Sequence, residues 1–259
     1  MLARRLAAPA TYTQQDQPAG VPPLSLTGER TLPDVPAENY WFRRHLAVYR
    51  WVAERCRGLS VVDMACGEGY GTAVLAERAA EATGVDANPD AHEHARAKYT
   101  RPGVRFVREL VETYDEPCDA IVFLQTIEHL EDPGAALDRF HSLLRPGGVA
   151  YVSTPNVLTL APPGAVKSDN PWHVREYRAA EFRELCAASF ESVELLGVFH
   201  ARKLLLHDWA LRLGWDDLHA RLGITNRFYD RFTPAISETD FALRPGGLDR
   251  ALDFLAILR

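Results

Sequence analysis

The sequence is short of lysine. Lys98, Lys167 and Lys203 are the only ones in 259 residues, and arginine carries nearly all of the positive charge. Acids still outnumber bases, giving a formal net charge of −6 and a pI of about 5.9. A dedicated nucleic-acid binder needs a basic surface, so no nucleic-acid partner is expected. Cysteine is scarce too. Cys56, Cys66, Cys118 and Cys186 stand singly, without the spacing of a zinc ribbon or a redox dithiol. Reduced thiols in a cytoplasmic protein are the expectation. No apolar run approaches the roughly 20 residues of a membrane span. Residues 1–10 hold two arginines and only a broken apolar stretch, not the h-region of a signal peptide. Residues 1–25 are rich in Pro, Gln, Ala and Thr and predict a disordered tail, leaving 26–259 as a single domain.

What is present is ordinary globular material, 47% hydrophobic and 25% charged. An amphipathic helix is predicted over 38–57, with Trp41, His45, Tyr49 and Val52 near one stripe. Short apolar runs at 59–63, 82–86, 104–107, 119–124, 149–153, 193–198 and 251–257 read as strands. Helical stretches at 70–80, 89–98, 133–144 and 179–188 separate most of them. Asn88 and Asp132 serve as N-caps before proline, and Arg145-Pro146-Gly147-Gly148 is a stop. Such alternation predicts an α/β fold with a mostly parallel sheet covered on both faces. Residues 200–248 interrupt it. Their Trp209, Leu211, Leu213, Trp215, Leu218 and Leu222 have helix-like spacing, so a helical insertion before the last strand is expected, capping an acceptor site.

In open α/β sheets ligands sit outside the carboxyl ends of the strands, where the loop Asp63-Met64-Ala65-Cys66-Gly67-Glu68-Gly69-Tyr70-Gly71 falls. A glycine loop alone could hold a dinucleotide or a nucleoside triphosphate, or merely pack. Two details discriminate. Thr72 stands where the dinucleotide fingerprint wants its third glycine. Asp63 ends the strand just before the loop, where an anion disfavours pyrophosphate and suits a cationic, phosphate-free ligand such as S-adenosylmethionine. Asp86, ending the next strand, can accept hydrogen bonds from ribose hydroxyls.

These residues resemble motif I and the second acidic motif (Gly84-Val85-Asp86) of the class I S-adenosylmethionine-dependent methyltransferases. Stretches 119–130 and 144–155 resemble their later motifs. The resemblance implies a Rossmann-like sheet of seven strands with the last antiparallel. A nearer resemblance is to the mycobacterial mannoside 1-O-methyltransferases. It rests on 26–31, 38–45, 66–71, Ile127-Glu128-His129-Leu130 and Asn170-Pro171-x-His173. It implies transfer to a hydroxyl of a sugar or oligosaccharide. The helix at 38–57 is then expected as an N-terminal lid, with Arg43 aligning with the arginine that binds the cofactor carboxylate in ubiquinone-pathway O-methyltransferases. Leu110 falls where the family usually places an acid or amide against adenine, and Glu109 is beside it. The expected cofactor set is therefore Arg43, Asp63, Ala65, Gly67, Gly69, Tyr70, Asp86, Ala87, Leu110 and Gln125.

His129, just after the fourth strand, is the candidate general base for a hydroxyl acceptor. A rival use is metal binding. The stretch resembles the Glu-x-x-Glu-His motif of plant small-RNA 3′-terminal 2′-O-methyltransferases, with Gln125 in place of the first Glu, so Glu128, His129 and His173 are candidate ligands for Mg2+ or another divalent ion. Quinone, polyketide or peptide acceptors, a non-catalytic cofactor-binding protein and a nicotinamide-dependent oxidoreductase are the alternatives. A homodimer is compatible with all of them. Calorimetry should show S-adenosylhomocysteine binding that Asp63→Ala weakens strongly; tight NADH binding with none for S-adenosylhomocysteine would contradict the reading.

Overall fold

The computed structural model describes residues 10–12, 18–26, 30–162, 164–215 and 226–259. Its centre is one eight-stranded sheet. The strands are β3 (Ser60–Met64), β4 (Glu81–Val85), β5 (Val104–Val107), β6 (Cys118–Leu124), β7 (Leu144–Pro155), β8 (Val193–His200), β9 (Phe241–Arg244) and β10 (Asp253–Leu258). They lie in the order β5-β4-β3-β6-β7-β10-β8-β9. Pairings among β3 to β7 are parallel. The final strand β10 runs antiparallel to both β7 and β8, as expected. The count is eight rather than seven, because the insertion contributes β9, which pairs antiparallel on the outer edge of β8. Nothing in 241–244 alternates cleanly enough to announce a strand; the edge of β8 makes it one. The predicted helix stop at 145–148 also lies inside β7, with a register irregularity opposite Cys118 and Ala120.

Period-two alternation places the sheet's side chains on two faces. Ala120 and Val122 of β6 point to the side covered by α1 (Asn39–Ala53) and α2 (Tyr70–Leu75). Ile121 and Phe123 point to the side covered by α4 (Pro133–Leu143) and α6 (Ala179–Ala187). Helix α3 (Pro89–Lys98) follows β4, with Asn88 capping the backbone amides of Asp90 and Ala91. Asp132 caps α4 in the same way. A short α5 (Val157–Leu160) follows β7.

Two short strands, β1 (Ala10–Tyr12) and β2 (Leu24–Leu26), pair antiparallel within and just beyond the stretch expected as a tail. Leu24 joins Leu32 and Val35 in a small apolar cluster. The insertion holds α7 (Arg202–Arg212) and α8 (Asn226–Phe232). The predicted contributions of Leu218 and Leu222 lie outside the described residues. No helix among the described residues is long and apolar enough to cross a membrane.

Helix α1 is bound to the sheet and the insertion by polar contacts as well as packing. Arg44, 4% exposed, forms an ion pair with Asp253 at the head of β10, 1% exposed, and donates to the Leu252 carbonyl at 2.8 Å. His200 Nδ1 donates to the Asp208 carboxylate at 2.7 Å, so its Nε2 accepts the Tyr40 hydroxyl at 2.7 Å. Removing one member of a buried pair strands the other charge. Arg44→Leu should therefore cost about 3–5 kcal/mol in urea unfolding, and Arg44→Leu with Asp253→Leu should recover most of it. Unchanged stability of the single variant would contradict the clamp.

Candidate active site

Strand order reverses between β3 and β6, so a crevice opens at their carboxyl ends. Both strands leave through residues other than glycine in the left-handed region, Ala65 (φ 56°) and Gln125 (φ 55°). Such backbone is held only where the surroundings impose it, and it clusters at functional sites. Gln125 is fixed by its backbone and side-chain amides, which donate to Ser153 Oγ at 3.1 and 3.0 Å. Between the two turns lies a cleft lined by Ala65, Gly67, Tyr70, Gln125 and Thr126 from the sheet edge, and by His45 and Tyr49 of α1 above.

Asp63 lies beneath this cleft. It is fully buried, and Thr72 Oγ1 and the Tyr49 hydroxyl donate to its two carboxylate oxygens at 2.7 and 3.1 Å. Burial pushes its carboxyl up to about 7, against the two hydroxyl donors. Two glycines make this arrangement possible. A Cβ on Gly71 would lie 2.1 Å from the Tyr49 ring, and one on Gly84 would lie 2.7 Å from Thr72 Oγ1. The residue that spoils the dinucleotide fingerprint is thus the donor that holds the strand-end acid.

Asp86, at the end of β4, accepts from the backbone amides of Gly67 at 2.7 Å and Asn88 at 2.9 Å. It ties the glycine loop to the neighbouring strand. Exposed Ala87 and Leu110 flank it, and the Glu109 amide donates to its carbonyl. Gly69 (φ 96°) begins α2 with Ala95 and Phe106 packed against its Cα. Glu68 turns away from the cleft to a buried cluster with His94, Lys98 and Tyr99. Burial alone would raise it, but those donors hold its carboxyl below the usual range.

Of the expected cofactor residues, Ala65, Gly67, Tyr70 and Gln125 line the cleft, Asp63 lies beneath it, and Asp86 is tied to its loop through the Gly67 amide. Arg43 points away to Glu238 of the insertion at 3.1 Å and to Asn39. The arginine on the cleft is instead Arg30, beside Gly67. Arg30 lies in the resembling stretch 26–31, but no motif in the sequence marks it for a role. The helix stripe that carries His45 and Tyr49 lines the cleft.

Next to Thr126, a turn at Ile127–His129 presents a second group. Glu128, His129 and His173 have ligand atoms all within 4.8 Å of one another. His129 Nδ1 donates to the Trp172 carbonyl at 2.8 Å, and His173 Nδ1 to Glu176 Oε1 at 2.6 Å. Nδ1 is thus the donor on each ring, and these bonds orient the two imidazoles. Glu176 was not legible as a partner, although it lies only three residues beyond His173. Burial pushes the Glu128 carboxyl up to about 8, with Thr154 Oγ1 donating at 3.1 Å.

The parallel half-sheet, the glycine loop and an acid at the end of the following strand define a nucleoside-cofactor site of the Rossmann-like class. Comparison with known proteins specifies it. The methyltransferase-domain family profile matches residues 38–214. A Mycolicibacterium smegmatis protein named "probable S-adenosylmethionine-dependent methyltransferase" is 40% identical over 90% of this chain and 94% of its own length. A ubiquinone biosynthesis O-methyltransferase of Xylella fastidiosa is 33% identical over 38% of this chain and 43% of its own. A Thermotoga maritima structure described as an S-adenosylmethionine-dependent methyltransferase shares the fold, with a TM-score of 0.55 and 16% identity over 85% of this chain and 92% of that one. The chain belongs to the methyltransferase-domain family and is an S-adenosylmethionine-dependent methyltransferase.

The raised Asp63 gives a stability prediction with a definite sign. Folding holds its proton more tightly than the unfolded chain does, so its contribution is full below an unfolded pKa of about 4 and is lost as pH rises through about 7. Between about pH 4 and 8, unfolding free energy of the cofactor-free protein should therefore fall less steeply in Asp63→Asn than in wild type. Equal slopes would contradict the burial of an ionisable Asp63.

Proposed function

We propose that the enzyme transfers the methyl group to a hydroxyl of a sugar or oligosaccharide. The observation that carries this reading is the convergence of Glu128, His129 and His173 one turn from the cofactor cleft. Hydroxyl acceptors are weak nucleophiles and need their proton removed or their oxygen acidified. In the transfer the hydroxyl oxygen bonds the methyl carbon as the carbon–sulfur bond breaks. Sulfur keeps that electron pair and leaves as the thioether, and the hydroxyl proton passes to a base. His129 Nε2 is a fitting base, because the Trp172 carbonyl fixes its other nitrogen as the donor. Trp172, 47% exposed next to His173, offers an apolar ring face of the kind that packs on pyranose rings. The resemblance to mannoside 1-O-methyltransferases favours the sugar. The Xylella relative's match spans too little of the chain to argue for a quinone.

The same three side chains support a second use. Two imidazoles oriented through Nδ1 and one carboxylate form a donor set that fits a divalent cation. Bound there, Mg2+ or a similar ion supplies Lewis-acid charge that acidifies a hydroxyl. His129 Nε2 cannot both hold an ion and take the proton, so the two uses predict different variants. If His129 is the base, His129→Ala should lower kcat by about a hundredfold or more with S-adenosylhomocysteine affinity unchanged, while His173→Ala keeps most activity. If the triad holds an ion, His173→Ala should be as damaging as His129→Ala, EDTA should abolish turnover, and Mg2+ or Mn2+ should restore it. Full activity of both variants would remove the triad from the chemistry.

The N-terminal helix α1 serves in this reading as a lid, since His45 and Tyr49 stand over the cleft. The insertion, joined to α1 through Tyr40–His200–Asp208 and Arg43–Glu238, caps the acceptor side.

A further inference from the structure

The methionyl end of the cofactor carries an ammonium and a carboxylate, and each needs a partner as it leaves water. The acids around the glycine loop are already engaged. Both Asp63 oxygens accept hydroxyls below the cleft, both Asp86 oxygens accept backbone amides, and Glu68 faces His94, Lys98 and Tyr99. Tyr49 spends its hydroxyl on Asp63, and that of Tyr70 pairs with Thr31. Two side chains on the cleft remain uncommitted among the described residues, His45 and Arg30.

His45 lies one turn before Tyr49 on the same face of α1, and both line the cleft. His45 is half-buried there. Burial pushes its pKa down to about 4; the Arg44 guanidinium lowers it further and the Asp253 carboxylate opposes. The imidazole is therefore neutral near pH 7 and keeps a lone pair to accept a hydrogen bond. A cation there would repel both the sulfonium and the ammonium, whereas a neutral imidazole offers an acceptor without repulsion. Arg30, beside Gly67 at the same cleft, supplies the positive charge that a carboxylate needs.

We propose that His45 accepts a hydrogen bond from the α-ammonium of S-adenosylmethionine and that Arg30 pairs with its α-carboxylate. The pair forms a clamp on the methionyl end that Asp63 and Arg43 do not provide. Helix α1 then recognises the cofactor directly, and Asp63 acts on it only by holding Tyr49 and the loop in place.

The test is a calorimetric comparison that uses no acceptor, so it stands whether or not the sugar reading holds. Three ligands are titrated: S-adenosylhomocysteine, its analogue lacking the α-amino group, and its analogue lacking the α-carboxylate. Wild type should lose about tenfold or more in affinity with either analogue. His45→Phe should bind S-adenosylhomocysteine about tenfold more weakly than wild type, yet bind the deamino analogue as wild type does. Arg30→Met should show the same pattern with the decarboxylated analogue. His45→Gln, which keeps an acceptor, should restore most of the loss and provides the same comparison if His45→Phe folds poorly. A His45 variant that weakens the amino and deamino ligands by equal factors, or leaves S-adenosylhomocysteine affinity unchanged, would overturn the assignment.

Discussion

The site depends on a single buried carboxylate. Asp63 ends the strand at the point where the sheet order reverses, and two hydroxyls from two different helices close on it. The Tyr49 bond fixes the height of α1 above the glycine loop. The Thr72 bond fixes the first turn of α2, and with it the exit of that loop. Gly71 and Gly84 are required because the two donors pass where a methyl group would stand. An ionised group so deeply buried costs stability near neutral pH, a cost a protein retains where a site needs the geometry.

Around this anchor the chemistry divides into two adjoining parts. One is the cleft between Ala65 and Gln125, lined also by His45 and Tyr49 of α1, where we place the methyl donor. The other is the Glu128–His129–His173 group, built from the turn after β6 and a loop folded back on it. The Val174 and Arg175 amides both donate to the Glu128 carbonyl, at 2.8 and 3.2 Å, and bring His173 to His129 across 44 residues of sequence. The left-handed Gln125 joins the parts, since the chain passes through it from β6 into the turn that carries Glu128 and His129.

Much of the fold was legible because its signals are local. Strands buried on both faces read as continuous apolar runs, and Asn88 and Asp132 announced α3 and α4 through caps that the structure forms. The loop glycines and two strand-end acids gave the cofactor class for the same reason. What escaped depended on distant partners. Strand β9 exists because β8 offers an edge. The sequence resemblance points to Arg43 as the carboxylate partner; only folding shows that Glu238 pairs with Arg43 while Arg30 reaches the cleft. The sequence shows where Asp63 lies along its strand, but not that Tyr49 and Thr72 close on it. The Glu128–His129–His173 group was least legible, since His129 and His173 are oriented by Trp172 and Glu176, whose roles no spacing rule encodes.

The most direct measurement of the central claim is an acceptor screen with S-adenosylmethionine labelled in its methyl group. It should include short methylated and unmethylated mannosides, other glycosides, phenols and amines, with and without added Mg2+ or Mn2+. The account predicts label transferred to a hydroxyl oxygen of a glycoside, lost in the double variant His129→Ala, His173→Ala. Transfer to amines or phenols alone, or label transfer to a glycoside undiminished in that variant, would contradict it.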